Sequence, residues 1–244
     1  MCKSAPRAES LTCRSSSHLL LWFESNGSHR HLRVTLLLQQ TGLMTEAIPV
    51  TDRKALRKTL RARRRSVSAS ERARIAQLVA LNADRYLHLQ AGWRIAVYAS
   101  LPSELDTAPL IELARRRGCH IYVPRIDRHS LGRKMRFVEL TGRQRRNRLG
   151  IHEPESFRMI GARWLDVVFL PLVGFDACGV RLGMGGGYYD RAFAFRRWRV
   201  AWHAPRLIGI AYSFQQVEGL TAAAHDVRLD AVVTEERIVK CAIG

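Results

Sequence analysis

The chain has 244 residues, of which 47% are hydrophobic, and a formal net charge of +19 at pH 7. Such a chain can bury a substantial core, and one domain with a tail is the default organisation at this length. Its five cysteines show no Cys-x-x-Cys spacing, which argues against a zinc site or a disulfide framework and favours a reducing compartment.

The first 43 residues show no sustained hydrophobic period. Two short apolar runs, 19–23 and 36–38, fall short of the roughly 7 to 15 apolar residues of a signal-peptide core and of the about 20 that span a membrane. We therefore expect a disordered or non-native leader over residues 1–43, with Met44 as the initiator. Residues 44–244 are expected to form a single cytoplasmic domain that does not associate with membranes.

A basic helix is predicted to open the domain. Asp52 or Thr51 would cap it, it would run to about Arg65, and Ala55, Leu56 and Leu60 would form a thin apolar stripe. Lys and Arg fill eight of the thirteen positions from 53 to 65. That density keeps RNA binding open as an alternative, although no aromatic platform or known nucleic-acid motif accompanies it.

A second helix is predicted from Ser68, which forms a capping box with Glu71, to about Leu89. Strands and helices then alternate, which indicates a three-layer α/β/α sandwich with a mostly parallel sheet, preceded by N-terminal helices. The predicted elements are strands at 94–99, 120–124, 135–140, 166–173, 207–212 and 231–234, helices at 107–117 and 188–198, and a loop at 147–161.

The most informative segment is RLGMGGGYYDR, residues 181–191, directly after the strongest predicted strand. Its four glycines can turn backbone N–H groups toward an anion, and the following helix would add its positive dipole end. A plain glycine-rich turn is the alternative, but a reversal between strand and helix needs fewer glycines. The segment matches neither GxGxxG nor GxxxxGK[ST], so it is not a Rossmann or Walker A loop.

Three other segments can join this loop chemically. Arg53, Lys54 and Arg57 share a helix, and Arg57 lies on the face of Arg53. Glu104 follows the strand that ends at Ala99, and His225 precedes Asp226 in a polar turn that also holds Asp230. Taken singly, a solvated basic face, a surface carboxylate and a helix cap are the alternative interpretations.

In chain order these segments resemble the 5-formyltetrahydrofolate cyclo-ligase family, also called 5,10-methenyltetrahydrofolate synthetases. The resemblance covers about Arg53 to Val239. It is carried by RKALR, YASLPSELDT, LGIHEP, FLPLVGFD, GVRLGMGGGYYDR and HDVRLDAVVTE. It implies ATP-dependent cyclisation of 5-formyltetrahydrofolate to 5,10-methenyltetrahydrofolate, with release of ADP and phosphate and with Mg²⁺ as the metal.

The resemblance also implies residue roles. Arg181 and Asp190 would be catalytic, and Asp190 and Asp226 would hold Mg²⁺. ATP would be bound by Arg53, Lys54, Arg57, Arg181, Leu182, Gly183, Met184, Gly185, Gly186, Gly187, Tyr188 and Tyr189. The folate would be bound by Tyr98, Ala99, Glu104, Met184, Gly185, Gly186, Gly187 and Tyr188.

Two expectations accompany this assignment. The expected partners are the reduced folate and ATP, and no nucleic acid is expected to be required. The protein is expected to be a monomer. Another ATP-using small-molecule ligase or kinase remains the alternative enzyme. We also expect Asp190→Ala or Arg181→Ala to remove most turnover without unfolding the protein, because loop residues at a strand end rarely support a core.

Overall fold

An eight-stranded sheet forms the centre of the protein. The structure, a computed structural model, describes residues 52–126, 134–141, 144–146, 152–154, 158–198 and 205–241. The predicted leader lies outside these residues, so its disorder stays a prediction. Within the described ranges, none of the helices combines the length and the apolar character that a membrane crossing requires.

The helices and strands follow the predicted alternation. The helices are α1 (Arg53–Ser66), α2 (Ala69–Leu87), α3 (Ala108–Arg116) and α4 (Tyr188–Ala192). The strands are β1 (Arg94–Ala96), β2 (His120–Ile126), β3 (Met135–Glu139), β4 (Gln144–Arg146), β5 (His152–Pro154), β6 (Met159–Ile160), β7 (Val167–Leu170), β8 (Gly174–Phe175), β9 (Arg181–Leu182), β10 (Arg206–Ile210), β11 (Ala231–Val233) and β12 (Ile238–Lys240).

The strand order of the sheet is β12-β11-β10-β7-β1-β2-β3-β6. Strands β11, β10, β7, β1 and β2 are parallel, whereas β12, β3 and β6 are antiparallel to their neighbours. This arrangement confirms the mostly parallel sheet. The carboxyl ends of the five parallel strands share one edge, where ligands bind in such folds.

Both faces of the sheet are covered, which confirms the three layers. In β7, Val167 and Phe169 pack in a core with side chains of α2 and α3, whereas Val168 and Leu170 pack on the other side with Phe193, just after α4. Each of these strand residues is at most 1% exposed. The continuously apolar sequence of β7 follows from this burial on two faces.

The start of α1 agrees with its prediction, and its buried stripe differs. The side chain of Asp52 accepts hydrogen bonds from the backbone N–H groups of Lys54 and Ala55, at 2.8 and 3.0 Å. Leu56 and Leu60 are buried as predicted, but Ala55 is exposed and Arg64, one turn beyond Leu60, completes the stripe. A charged residue therefore continues the apolar face of the helix.

The predicted capping box of α2 is only half formed. The hydroxyl of Ser68 accepts a hydrogen bond from the backbone N–H of Glu71 at 3.2 Å. Both carboxylate oxygens of Glu71 instead accept from Arg74, at 2.9 and 2.7 Å. The arginine one turn away thus competes with the reciprocal contact of the box.

Several predicted boundaries were wrong. β7 ends at Leu170 rather than at residue 173, because Pro171 has no N–H group for the ladder. The helix predicted over 188–198 ends at Ala192 and is followed by a 3-10 helix, Ala194–Trp198. The loop predicted over 147–161 contains β5 and β6, and the β8–β9 hairpin and β12 were not predicted.

Two buried tyrosines give a matched pair for a stability test. The hydroxyl of Tyr98 donates a hydrogen bond to Leu105 O at 3.1 Å, whereas the buried hydroxyl of Tyr212 has no partner among the described residues. We expect Tyr98→Phe to lower the free energy of unfolding by about 1 to 3 kcal/mol, since a buried carbonyl loses its donor. Tyr212→Phe should leave it unchanged or raise it by about 1 kcal/mol. Urea unfolding of both variants measures this, and equal losses would contradict the difference in bonding.

Candidate active site

The glycine-rich segment follows the carboxyl end of β7. The chain leaves Leu170, forms the short β8–β9 hairpin and continues through Gly183 to Gly187 into α4. Asp176 holds the turn of the hairpin, because its Oδ1 accepts from the N–H groups of Cys178 and Val180, each at 2.9 Å. The sequence analysis did not identify Asp176. An aspartate that accepts from the backbone N–H two residues further on forms a recognisable turn, and this signal could have identified it.

The backbone N–H groups of the glycine loop, residues 183–187, have no partners in the part of the chain that the structure describes. Gly185 and Gly187 have φ angles of 96° and 62°, which favour glycine. α4 has only five residues, so the helix dipole expected at Tyr188 contributes less than a long helix would.

Arginines hold the carbonyl groups of the same loop. Arg57 Nε donates to Gly183 O at 2.9 Å, and Arg191 Nη2 donates to Gly186 O at 3.0 Å. The guanidinium of Arg191 also lies 5.0 Å from the centre of the Tyr188 ring. Two of the loop's carbonyl groups are thus bound by arginines, and backbone N–H groups without described partners are suited to bind an anion.

Two of the three basic residues predicted at the start of α1 reach the loop. Arg53 donates to Arg181 O at 3.5 Å and to Thr221 O at 3.3 Å, and it pairs with Asp226 at 3.5 Å. Arg57 contacts Gly183, as described above. Lys54 is exposed, and the contact described for it is made by its backbone N–H to the helix cap.

The buried Arg181 and the partly buried Asp190 form an ion pair. Arg181 Nη2 lies 2.5 Å from Asp190 Oδ1, and the two side chains are 6% and 19% exposed. Arg181 Nη1 also donates to Val227 O, and Asp190 Oδ1 accepts from Val227 N at 3.2 Å. The pair thus joins the loop to the segment after Asp226, and its burial changes the expectation that either substitution would leave stability intact.

Asp226 directly precedes Val227, whose backbone both side chains of this pair contact. Its Oδ2 accepts from Ala223 N at 3.0 Å and pairs with Arg53, and its Oδ1 is 3.7 Å from His225 Nε2. The predicted grouping of the basic helix, the glycine loop and the polar turn is therefore formed. The other acid of the turn, Asp230, instead accepts from Leu207 N at 2.6 Å, at the amino end of β10.

An open cleft of about 440 Å³ borders the loop. Its lining residues are Gly185, Gly186, Gly187, Asp190, Arg191, Ala194, Arg197 and His225. His225 belongs to the polar turn that was expected to join the loop, whereas Arg191 and Arg197 were given no role in the site. Basic residues near a glycine loop are the signal that could have identified them. The cleft gives an anion access to the open N–H groups, with cationic side chains around it.

The two acidic residues are compatible with a bound Mg²⁺. The described contacts of Asp190 all use Oδ1, so Oδ2 is open to a ligand, and the nearest contact of Asp226 Oδ1 is the exposed His225. No group of three or more His, Cys, Asp or Glu side chains suited to a metal occurs within the described ranges. Mg²⁺ typically uses one or two carboxylates together with phosphate oxygens and waters, so this donor set fits the ion.

The residues predicted to bind only the folate, Tyr98, Ala99 and Glu104, follow the carboxyl end of β1. Ala99 is exposed directly after Tyr98, whose ring belongs to the core and is 4% exposed. Glu104 is 8% exposed, and its Oε2 accepts from Leu101 N at 3.1 Å. Burial raises the pKa of Tyr189, as does the negative charge of Glu104.

The remaining predicted residues lie along the loop itself. Leu182 is fully buried and packs with Leu56 and Leu60 of α1. Met184 is 51% exposed, while Tyr188 and Tyr189 are partly buried, and the Tyr189 ring stacks on Phe193 with ring centres 6.4 Å apart. The loop therefore has an anchored start, an exposed middle and an anchored end.

Comparisons with known proteins identify the family of this chain. Residues 49–235 match the model of the 5-formyltetrahydrofolate cyclo-ligase family. The chain is 36% identical to the 5-formyltetrahydrofolate cyclo-ligase of Escherichia coli, over 73% of this chain and 98% of that protein, and 29% identical to that of Mus musculus, over 75% and 94%. The NMR structure of Aquifex aeolicus 5,10-methenyltetrahydrofolate synthetase is similar with a TM-score of 0.65 and 28% identity, covering 79% of this chain and 94% of that one. The chain belongs to the 5-formyltetrahydrofolate cyclo-ligase family.

Proposed function

We propose that this enzyme converts 5-formyltetrahydrofolate to 5,10-methenyltetrahydrofolate and uses ATP to do so. The observation that carries the proposal is the glycine loop, whose five consecutive N–H groups have no partner within the described residues while arginines hold its carbonyl groups. This loop lies in a chain whose family match extends over residues 49–235.

The chemistry explains why ATP is needed. A formamide oxygen is a poor leaving group. The γ-phosphoryl group of ATP therefore passes first to the oxygen of the N5-formyl group, and ADP leaves. N10 then attacks the activated carbon. Loss of phosphate and of the N10 proton leaves the methenyl bridge, so ADP and phosphate are the products beside it. Phosphoryl transfer of this kind depends mainly on positioning and on charge neutralisation.

The residues of the loop are suited to those two tasks. The N–H groups of residues 183–187 would bind phosphate oxygens, and Arg53 and Arg57 would fix the loop and add positive charge near it. Bound Mg²⁺, on Asp190 and Asp226, would neutralise phosphate charge. Arg181 would hold Asp190 in place, since the two form a pair at 2.5 Å.

The folate would bind beside the glycine loop, at the carboxyl end of β1. Glu104 would accept hydrogen bonds from the N–H edge of the pterin, and Met184 to Tyr188 would border both substrates. Tyr98 would support this pocket from the core, where its ring lies. We also propose a monomeric state and a cytoplasmic location, the latter because the cysteine pattern favours a reducing compartment.

An absorbance assay tests the proposed reaction. Purified enzyme with 5-formyltetrahydrofolate, Mg²⁺ and ATP should give a rise in methenyltetrahydrofolate absorbance, and omission of ATP should abolish it. ATP hydrolysis without that rise would indicate a different acceptor. RNA binding that persists in an Asp190→Ala variant, with no cyclisation by the unmodified enzyme, would favour the nucleic-acid alternative.

A further inference from the structure

The last part of the glycine loop is held by an arginine of the helix that follows it. Arg191 lies four residues after Gly187 and donates its backbone N–H to Gly187 O at 3.1 Å. Side chains of an α-helix lean toward its N-terminus, so the exposed side chain of Arg191 extends back over the loop. There its Nη2 donates to Gly186 O at 3.0 Å. Arg191 thus contacts the loop through both its backbone and its side chain.

The guanidinium of Arg191 packs closely against the loop. A Cβ atom at Gly187 would lie 2.9 Å from Arg191 Nη1, and one at Gly186 would lie 2.9 Å from two ring carbons of Tyr188. The centre of that ring is 5.0 Å from Arg191 Cζ, which is within the range of a cation–π contact. The two glycines therefore let the ring and the guanidinium approach the loop backbone, and the four residues form one packed unit.

The hydrogen bond to Gly186 O fixes the direction of a neighbouring N–H group. The carbonyl of Gly186 and the N–H of Gly187 belong to one planar peptide, and in a trans peptide these two groups point in opposite directions. This peptide lies between two glycines, and Gly187 has a φ angle of 62°, so the backbone alone permits other orientations of the plane. The bond from Arg191 therefore determines which way the N–H of Gly187 points.

We propose that Arg191 is a positioning residue for ATP, which holds the Gly186–Gly187 peptide so that the N–H of Gly187 is available to a phosphate oxygen. The inference rests on the proposed binding of ATP by the loop. Arg57 holds the first part of the loop from α1 through Gly183 O, and Arg191 holds the last part from α4. A loop fixed before the nucleotide arrives avoids the loss of affinity that follows when only a fraction of the molecules is competent to bind.

Calorimetric titration of the full chain with Mg²⁺ and a non-hydrolysable ATP analogue tests the proposal. Arg191→Met should raise the Kd of the analogue about fivefold, as expected when one hydrogen bond no longer favours the competent loop. In cyclisation assays, kcat at saturating ATP should change by less than about twofold, because the bound nucleotide then holds the loop. Arg191→Lys should restore most of the affinity, since an ammonium group can also donate to Gly186 O.

The amide NMR signal of Gly187 in the nucleotide-free protein separates positioning from direct attraction of the phosphates. Arg191→Met should broaden or split this signal, because the peptide then exchanges between orientations. If the Kd rises while the signal stays single and sharp, Arg191 attracts the phosphates directly by its charge, and the proposal is overturned. An unchanged Kd, or a fall in kcat with an unchanged Kd, would also overturn it.

Arg163 provides a matched control. It is also an exposed arginine over an aromatic ring, with Cζ 5.2 Å from the centre of the Phe195 ring, and it does not line the cleft. Arg163→Met should change neither the Kd, nor kcat, nor the signal of Gly187. A similar rise in Kd in both variants would show a general effect of lost positive charge and overturn the assignment to Arg191. If Arg191→Met does not fold, Arg191→Gln takes its place with the same expectations.

The failure of the proposed function has a different signature. If the unmodified enzyme binds the analogue but forms no methenyltetrahydrofolate, the proposed reaction fails, whereas the titration and the amide signal still decide the role of Arg191. If the unmodified enzyme does not bind the nucleotide, the proposed function and the role of Arg191 both fail.

Discussion

Replacement of Asp190 by alanine is expected to cost the protein both turnover and stability. The turnover of the folded enzyme should fall roughly a hundredfold, because a group that positions charge in phosphoryl transfer is lost. The free energy of unfolding should fall by about 3 kcal/mol, since Arg181, only 6% exposed, keeps a buried charge without its partner. The cyclisation assay and urea unfolding measure the two effects separately.

A second, partly buried ion pair provides a matched control. Asp230 lies 2.5 Å from Arg196 and is 14% exposed, and it accepts from the backbone N–H of Leu207, so its surroundings parallel those of Asp190. It lies at the amino end of β10 and does not line the cleft beside the glycine loop. Asp230→Ala should lower stability by a similar amount and leave the turnover of the folded fraction unchanged. Equal losses of turnover in both variants would show that Asp190 acts only through stability.

Addition of a single methyl group at Gly183 should weaken ATP binding without affecting the fold. A Cβ atom at this position would have no heavy atom within 4 Å, and the backbone there does not require a positive φ. If this space receives phosphate oxygens, Gly183→Ala should raise the KM for ATP by about tenfold or more, the loss expected for one charge-assisted hydrogen bond. Thermal unfolding without nucleotide should be unchanged.

Gly161 is the control for this substitution. A Cβ atom there would have an ordinary 3.9 Å contact with Trp164 Cδ1, its φ angle is −80°, and it lies before a 3-10 helix outside the cleft. Gly161→Ala should change neither stability nor the KM for ATP. A Gly183→Ala enzyme with normal ATP affinity would mean that the phosphates do not approach this face of the loop.

Elements with local causes could be predicted from the sequence. The Asp52 cap, the buried Leu56 and Leu60 and the continuously apolar β7 depend on residues a few positions apart, and the structure confirms them. The two-residue strands β8 and β9 were missed because so short a hairpin has no hydrophobic period. The helix after the glycine loop was predicted too long, because nothing local indicates its change to a 3-10 helix at Ala194.

Features that depend on distant residues could not be predicted. The burial of Arg64 was not predicted within the basic run 53–65, because it depends on contacts such as the one with Leu172, 108 residues away. The pairing of Arg181 with Asp190 was also not predicted, since both residues were expected to face ligands. For the candidate site, the sequence predicted which segments meet, whereas hydrogen bonds across the fold determine which side chains hold the loop and which remain open.

The most direct test of the phosphate-binding role is a crystal structure with Mg²⁺ and a non-hydrolysable ATP analogue. We predict that β- and γ-phosphate oxygens lie within hydrogen-bond distance of the N–H groups of residues 183–187. We also predict that the carboxylates of Asp190 and Asp226 face the metal. A nucleotide bound elsewhere, with those five N–H groups facing only solvent, would contradict the account.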